Sequence, residues 1–324
     1  MTTGPRNLIT DISGLKVGNA ADDNVVTGVT VLIPDAPVRA AVDVRGGSPG
    51  TRETDALALD TLVDRIDGLV LSGGSVFGLA AADRVCRLLG AEGRGFSLVP
   101  QTDVPVTPIV PCAILYDLNN GGDKAWGDQP PYDRLAADAW ADASETFHLG
   151  AVGAGRGATA GAHPGGLGSA SWTNTGGYTV GALVAVNSFG SPYWPGTDQF
   201  LAAPYEVAGE FGGRGLPGAS AVAGLPPDTK LAAPARSNTT LAVIATDADL
   251  SPADLKRLAV MAQDGLARAI RPAHGPTDGD IVFALSTCAK PVAAPLPTVL
   301  ELGTIAGDVL ARAVARGVFA AEKP

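Results

Sequence analysis

Apolar positions along this chain follow two spacings, and each predicts its own kind of element. Short runs rich in Val, Ile, Leu and Thr, bounded by Gly, Pro or Asn, mark strands over 24–33, 38–45, 68–72, 108–116, 169–175, 178–187, 239–246 and 280–286. Apolar residues three and four apart mark helices over 76–89, 135–147 and 299–318. The best-marked helix follows the strand at 239–246. Ser251 stands where a hydroxyl caps the first free N–H groups, Pro252 takes the first helical position and Asp254 the third. Leu255, Leu258, Ala262, Leu266 and Ala269 then share one face.

Two stretches break these rhythms. From 157 to 197 there is no Asp, Glu, Lys or Arg, and the stretch is too rich in Gly, Ser and Thr for a membrane helix. It reads as a pair of buried or subunit-covered strands, and the functional alternative is that it also lines a site. From 198 to 237, Pro204, Pro217, Pro226, Pro227 and Pro234 remove backbone donors and interrupt both periods, so the segment is mostly loop. A loop this long inside a compact chain is functional or disordered. Strands and helices come in uneven blocks, without βα alternation and without a repeat of fixed period. That order predicts a layered α+β sandwich over a doubly wound sheet.

Composition narrows the class. The 324 residues are 46% hydrophobic and 17% charged, which excludes intrinsic disorder. Aromatics are only 5%, so the core is built from Ala, Val, Leu and Ile. The net charge is −10 with no dense Lys/Arg run, which removes the electrostatic basis for nucleic-acid binding. Cys86, Cys112 and Cys288 form no C-x-x-C pair and suit a reducing compartment. The first twelve residues lack an apolar signal core, and no apolar run is long enough to span a bilayer. A cytoplasmic protein without membrane partners is expected.

Several motifs compete for the chemistry. Gly153-Ala154-Gly155-Arg156-Gly157-Ala158 has dinucleotide-loop spacing, but no acid follows before Asp198 to take a ribose, so it reads as a glycine-dense turn. Gly46-Gly47-Ser48-Pro49-Gly50 has nucleophile-elbow spacing, but Pro49 lacks the N–H an oxyanion hole needs there. His148, His163 and His274 show no metal-ligand spacing, and neither metal nor cofactor is expected. Asn238-Thr239-Thr240 ends the long irregular segment and opens a hydrophobic strand with a hydroxyl. That is the layout of a self-cleaving hydrolase whose new N-terminal amine serves as the nucleophile's own base; the plainer alternative is a strand that starts with Thr. Asp278-Gly279-Asp280 places two carboxylates before a strand. They share a proton, bind a cation or hold an ammonium or hydroxyl, unless the motif is only a solvated turn.

Read together, the blocks at 44–55 (VRGGSPGTRETD), 71–79 (LSGGSVFGL), 152–161 (VGAGRGATAG), 165–171 (GGLGSAS), 180–188 (VGALVAVNS), Asn238-Thr239-Thr240 and 278–286 (DGDIVFALS) resemble the DmpA-type aminopeptidase family. That family includes the β-peptidyl aminopeptidases and the nylon-oligomer (6-aminohexanoate) hydrolases. The resemblance implies a four-layer αββα sandwich of α+β class, one folded domain made from a precursor that cuts itself between Asn238 and Thr239. The α-chain is then 1–238 and the β-chain 239–324. It implies Thr239 as nucleophile, Asn187 and Tyr116 as oxyanion donors, Asp278 and Asp280 beside the nucleophile, no cofactor, and a homo-oligomer of cleaved αβ units.

Two departures bear on substrate. The aminopeptidase members carry Ser where this chain has Thr239, and a Glu for the substrate amine where this chain has Ile114. Ile114 counts against strict aminopeptidase activity; blocks such as RGGSPGTRETD look closer to the aminopeptidases, while Thr239 and the Asp278-Gly279-Asp280 pair resemble the nylon-oligomer branch. That branch has a lysine near its Gly-rich block, where Ala162 stands here. The expected activity is hydrolysis of linear amides of small or ω-amino acids, with Ile114 lining the substrate pocket. The rivals are an aminopeptidase or esterase acting on short peptides, an ornithine-acetyltransferase-like acyl transferase, and an uncut non-catalytic protein.

Overall fold

Residues 2–99, 103–218, 223–232 and 238–322 are described by a computed structural model. Nine principal strands form two sheets: β1 (Leu15–Asp22), β2 (Thr27–Pro34), β3 (Val38–Val44), β4 (Leu69–Ser72), β5 (Cys112–Ile114), β6 (Gly166–Thr173), β7 (Thr179–Asn187), β8 (Thr239–Ala248) and β9 (Ile281–Lys290). The first sheet runs β1-β2-β4-β5 and closes with the short strand Thr51–Arg52. The second runs β6-β7-β8-β9-β3 and closes with Arg65–Ile66. Four helices cover the outer faces: α1 (Ala80–Ala91), α2 (Tyr132–Asp142), α3 (Pro252–Ala269) and α4 (Pro295–Ala321).

Side-chain alternation divides the apolar residues among three layers. On β8, Leu241, Val243 and Ala245 point between the sheets, while Ala242, Ile244 and Ala248 point toward α3 and α4. On β2, Leu32 faces the other sheet and Val29, Val31 and Ile33 face α1 and α2. The order is helices, sheet, sheet, helices, which is the four-layer αββα sandwich expected. Because the central strands have packing on both faces, every residue of β7 and β8 is buried. This explains why their sequences read as near-continuous apolar runs.

The glycines of the uncharged stretch have a packing reason. A Cβ on Gly168 of β6 would lie 1.9 Å from the Ala313 carbonyl oxygen of α4. Helix and strand therefore touch backbone to backbone, closer than any side chain would allow. The Gly153 to Ala158 motif forms a short turn of 3-10 helix wedged against β2 and β6, with no strand leading into a long helix as a dinucleotide loop requires.

Several elements differ from the sequence expectation. β1 was not foreseen, although Leu15 and Val17 alternate with polar neighbours. The strand expected from 24 starts at Thr27, because Val26 turns the chain with φ 56°. The helix expected over 135–147 runs Tyr132–Asp142, and Ser144 instead bridges to Val17 of β1. The strand expected over 108–116 shrinks to Cys112–Ile114. The Pro-rich stretch from 198 is irregular apart from short 3-10 turns at Ala203–Tyr205 and Lys230–Ala232, and its residues 219–222 and 233–237 lie outside the described ones. Among the described residues no helix is long and apolar enough to cross a membrane.

Candidate active site

Strand pairing gathers residues that are far apart in sequence. β7 and β8 are antiparallel and in a register that sets Asn187 opposite Thr239. β8 and β9 are parallel, with Leu241 beside Ile281, so the residues just before β9 lie next to the start of β8. β3 pairs with the other side of β9 and hands the chain to the Gly46-Gly47 turn. That turn laces onto the approach to β9: Arg45 N donates to Asp280 O at 3.0 Å, Gly47 N to Gly275 O at 3.2 Å and Ser48 N to Asp278 O at 2.8 Å. A Cβ on Gly46 would lie 2.2 Å from Asp278 O. The glycines of the elbow-like motif thus serve a close backbone approach, and Ser48 bonds a backbone carbonyl, Pro276 O.

Thr239 is almost fully buried, at 3% exposure. Its hydroxyl donates to the carbonyl oxygen of the preceding residue, Asn238, at 2.5 Å. The same oxygen accepts from Gly279 N at 2.7 Å. A Cβ on Gly279 would lie 2.6 Å from Thr239 Oγ1, so only glycine fits between the two acids of the Asp-Gly-Asp motif.

Asn187 is completely buried. Its Oδ1 accepts from Thr159 N at 3.0 Å and from Lys230 Nζ at 3.2 Å, and its Nδ2 donates to Tyr116 O at 3.0 Å. These partners fix which end of the amide is which. Asp278 and Asp280 are both buried, so the motif is no solvated turn. Asp280 Oδ1 accepts from Thr240 N at 2.9 Å, and its Oδ2 from His274 N and from the His274 ring at Nδ1, both at 2.9 Å. Asp278 accepts from Phe189 N at 3.1 Å and Gly275 N at 2.9 Å. Burial first, and then the neighbouring Asp280, push the Asp278 carboxyl up to about 6 against the pull of those N–H groups and of Lys230.

Thr239 opens onto a cleft of about 430 Å³ that Ile114 and Tyr116 also line, together with Ser48, Val76 and Leu79. None of the side chains lining it is charged. A second cavity, between Trp172, Tyr205 and Ile305 on the α4 side, holds none of these residues. Burial pushes the Cys86 thiol up to about 11 and the Cys112 thiol up to about 12, so neither of these two is a competing nucleophile near neutral pH. Among the described residues no group of His, Cys, Asp and Glu gathers to hold a metal ion.

All seven expected residues, Asn238, Thr239, Asn187, Tyr116, Asp278, Asp280 and Ile114, therefore fall in one region. Lys230 and His274 join them unannounced by the sequence. Lys230 was hidden in the Pro-rich segment, and His274 was weighed only as a metal ligand.

Comparison with known proteins places this geometry in company. The model of a family described as peptidase family S58 matches residues 7–324. An uncharacterized aminopeptidase of Mycobacterium bovis is 43% identical, covering 98% of this chain and 94% of its own length. A 6-aminohexanoate-oligomer endohydrolase of a Kocuria species is 29% identical over 99% of this chain and 84% of its own. Among solved structures, the L-aminopeptidase D-Ala-esterase/amidase of Ochrobactrum anthropi, described as a variant of the Ntn hydrolase fold, superimposes with a TM-score of 0.71 at 25% identity, over 99% of this chain and 88% of that one. A Burkholderia β-aminopeptidase shares the fold with a TM-score of 0.69 at 23% identity, over 98% and 87%.

Proposed function

Because the chain belongs to peptidase family S58, and so is a peptide- or amide-bond hydrolase, we propose that it is a self-processing N-terminal threonine hydrolase whose nucleophile is Thr239. The observation that carries this is the convergence of the Thr239 hydroxyl and the Gly279 N–H on the Asn238 carbonyl oxygen, at 2.5 and 2.7 Å. In the precursor, Thr239 Oγ1 adds to the Asn238 carbonyl carbon. The C–N bond to Thr239 breaks, and the hydroxyl proton ends on the departing amine. Water then hydrolyses the ester, leaving an Asn238 carboxylate and a Thr239 with free hydroxyl and amine. The amide N–H of Gly279 is a preorganised donor to the oxygen that gains charge in the first step.

In the mature site the Thr239 amine takes the hydroxyl proton as Oγ1 attacks a substrate carbonyl, and passes it to the leaving amine as the scissile C–N bond breaks. The Tyr116 phenol and the remaining Asn187 Nδ2 hydrogen are the donors for the oxyanion, and water releases the acyl group. Substrate class follows from the cleft. Val76, Leu79 and Ile114 favour methylene chains, at about 0.8 kcal/mol per buried CH₂. No lining carboxylate offsets the desolvation of an ammonium next to the scissile bond. Linear amides of ω-amino acids fit this cleft better than short peptides with a charged N-terminus.

Denaturing mass spectrometry tests the first part. Wild type resolves into residues 1–238 and 239–324, whose masses add up to the 32.5 kDa precursor plus one water. Thr239→Ala gives only full-length, inactive protein. Active wild type that stays one chain would remove the mechanism. For the second part, kcat/KM on a 6-aminohexanoate oligomer exceeds that on alanyl and β-alanyl p-nitroanilides. If the anilides win by about tenfold or more, the aminopeptidase reading replaces this one.

A further inference from the structure

The segment that leads to the scissile bond carries a buried cation into the site. Lys230 is only 5% exposed, and its Nζ lies 3.2 Å from Asn187 Oδ1 and 3.4 Å from Asn187 O. The stretch that delivers it is well anchored. Arg271 Nη2 donates to Gly224 O at 3.2 Å, Ala162 N donates to Asp228 O at 2.8 Å, and Lys230 N donates to Phe189 O at 3.2 Å. The Asp228 carboxylate accepts the Ser191 hydroxyl and faces His163 Nε2 at 3.2 Å. Holding a lysine in this way costs its rotamer freedom and part of its ammonium hydration. The Lys230 charge also favours the ionised form of the buried Asp278 carboxyl, against burial and Asp280. An ammonium on Oδ1 also polarises the Asn187 carboxamide, which makes its N–H groups better donors.

We propose that Lys230 is a positioning residue of this site: it locks and polarises the Asn187 carboxamide, and it supplies the positive charge that offsets Asp278 beside Thr239. This rests on the reading of Thr239 as nucleophile and, once cut free, as base. Among the described residues, the charged and titratable groups on the elements that meet near Lys230 are Asp278, and Asp280 with its His274, from the approach to β9. Asp228 comes from its own segment and His163 from the Thr159–Pro164 turn. After cleavage the Thr239 amine and the Asn238 carboxylate join them. Removing the lysine charge leaves the acids uncompensated, so they hold the Thr239 ammonium more tightly. The acid limb of kcat/KM then moves to higher pH, because more base is needed to free the amine.

The test uses full-length protein carrying Lys230→Met, Lys230→Gln or Lys230→Arg, each checked for cleavage by denaturing mass spectrometry. β-Alanyl p-nitroanilide serves as probe across the pH range. Met and Gln lower kcat by about tenfold or more with KM little changed, and move the acid limb up by about one unit. Arg, which keeps the charge, restores most of kcat and the wild-type limb. A cut Met or Gln variant with wild-type kcat and limb overturns the assignment, as does an Arg variant impaired as deeply as Gln. Should the neutral variants fail to accumulate as cut protein, Arg decides: cut with a wild-type limb supports the role of charge, and uncut or limb-shifted overturns it. A wild type that is active but uncut on the same spectra sinks the Thr239 mechanism instead, which keeps the two failures apart.

Discussion

Burial and the neighbouring Asp280 set the cost of ionising Asp278 inside the protein. Its folded value lies near 6 against 3.8 for the free side chain, raised by burial and by Asp280. The folded state therefore binds more protons than the unfolded chain between these values. The stability this group contributes is present below about pH 4 and is lost as pH rises through about 6, up to about 3 kcal/mol at neutrality. Thermal unfolding of wild type and of Asp278→Asn, followed from pH 4.5 to 7.5, checks this. The wild type loses stability relative to the variant as pH rises, and a constant difference would mean that the carboxyl is not held in this way. His274 belongs at this scale too. The Asp280 carboxylate faces its ring at Nδ1, at 2.9 Å, and holds the ring's orientation in the site.

Elements explain why some of this was legible in the sequence and some was not. β8 and α3 were readable because propensity, burial and capping agree there: Ser251 Oγ accepts from Asp254 N as the cap pattern required. β1 was lost because its Gly18 and Asn19 dilute the alternation; a Cβ on Gly18 would meet Ala139 O of α2 at 1.9 Å, so close packing outweighed propensity. Thr239 was legible as a junction between an irregular segment and a buried strand. Lys230 was not, since no local period distinguishes a buried lysine in a Pro-rich loop from a solvated one. The same close packing sets a prediction for β6. Gly168→Ala forces α4 away from the sheet and lowers stability by about 1–3 kcal/mol, read as a fall in the midpoint of denaturant unfolding. An unchanged midpoint would show that α4 can slide without loss.

At the scale of the whole molecule, the proposed cut falls between strands that remain interleaved. In the order β6-β7-β8-β9-β3, the pair that follows the cut is flanked on both sides by strands that precede it. The two chains cannot part without breaking the ladder with β7 and the ladder with β3. In urea the chains of the processed protein should separate, by size-exclusion chromatography, at the same midpoint at which secondary structure is lost. Release of one chain before that midpoint would contradict this pairing. The site itself draws on residues 45–48, Ile114, Tyr116, Asn187, Thr239 and 278–280, brought together from both sheets. They meet only through the pairing of both sheets, so on the proposed mechanism the bond is broken only in a molecule that has reached its native arrangement. Spectroscopy reports what a molecule is at the moment of measurement. A severed backbone would report what it has been: on the proposed mechanism, a copy that folded once and later unravelled would still run as two bands on a denaturing gel, a memory that no denaturant erases.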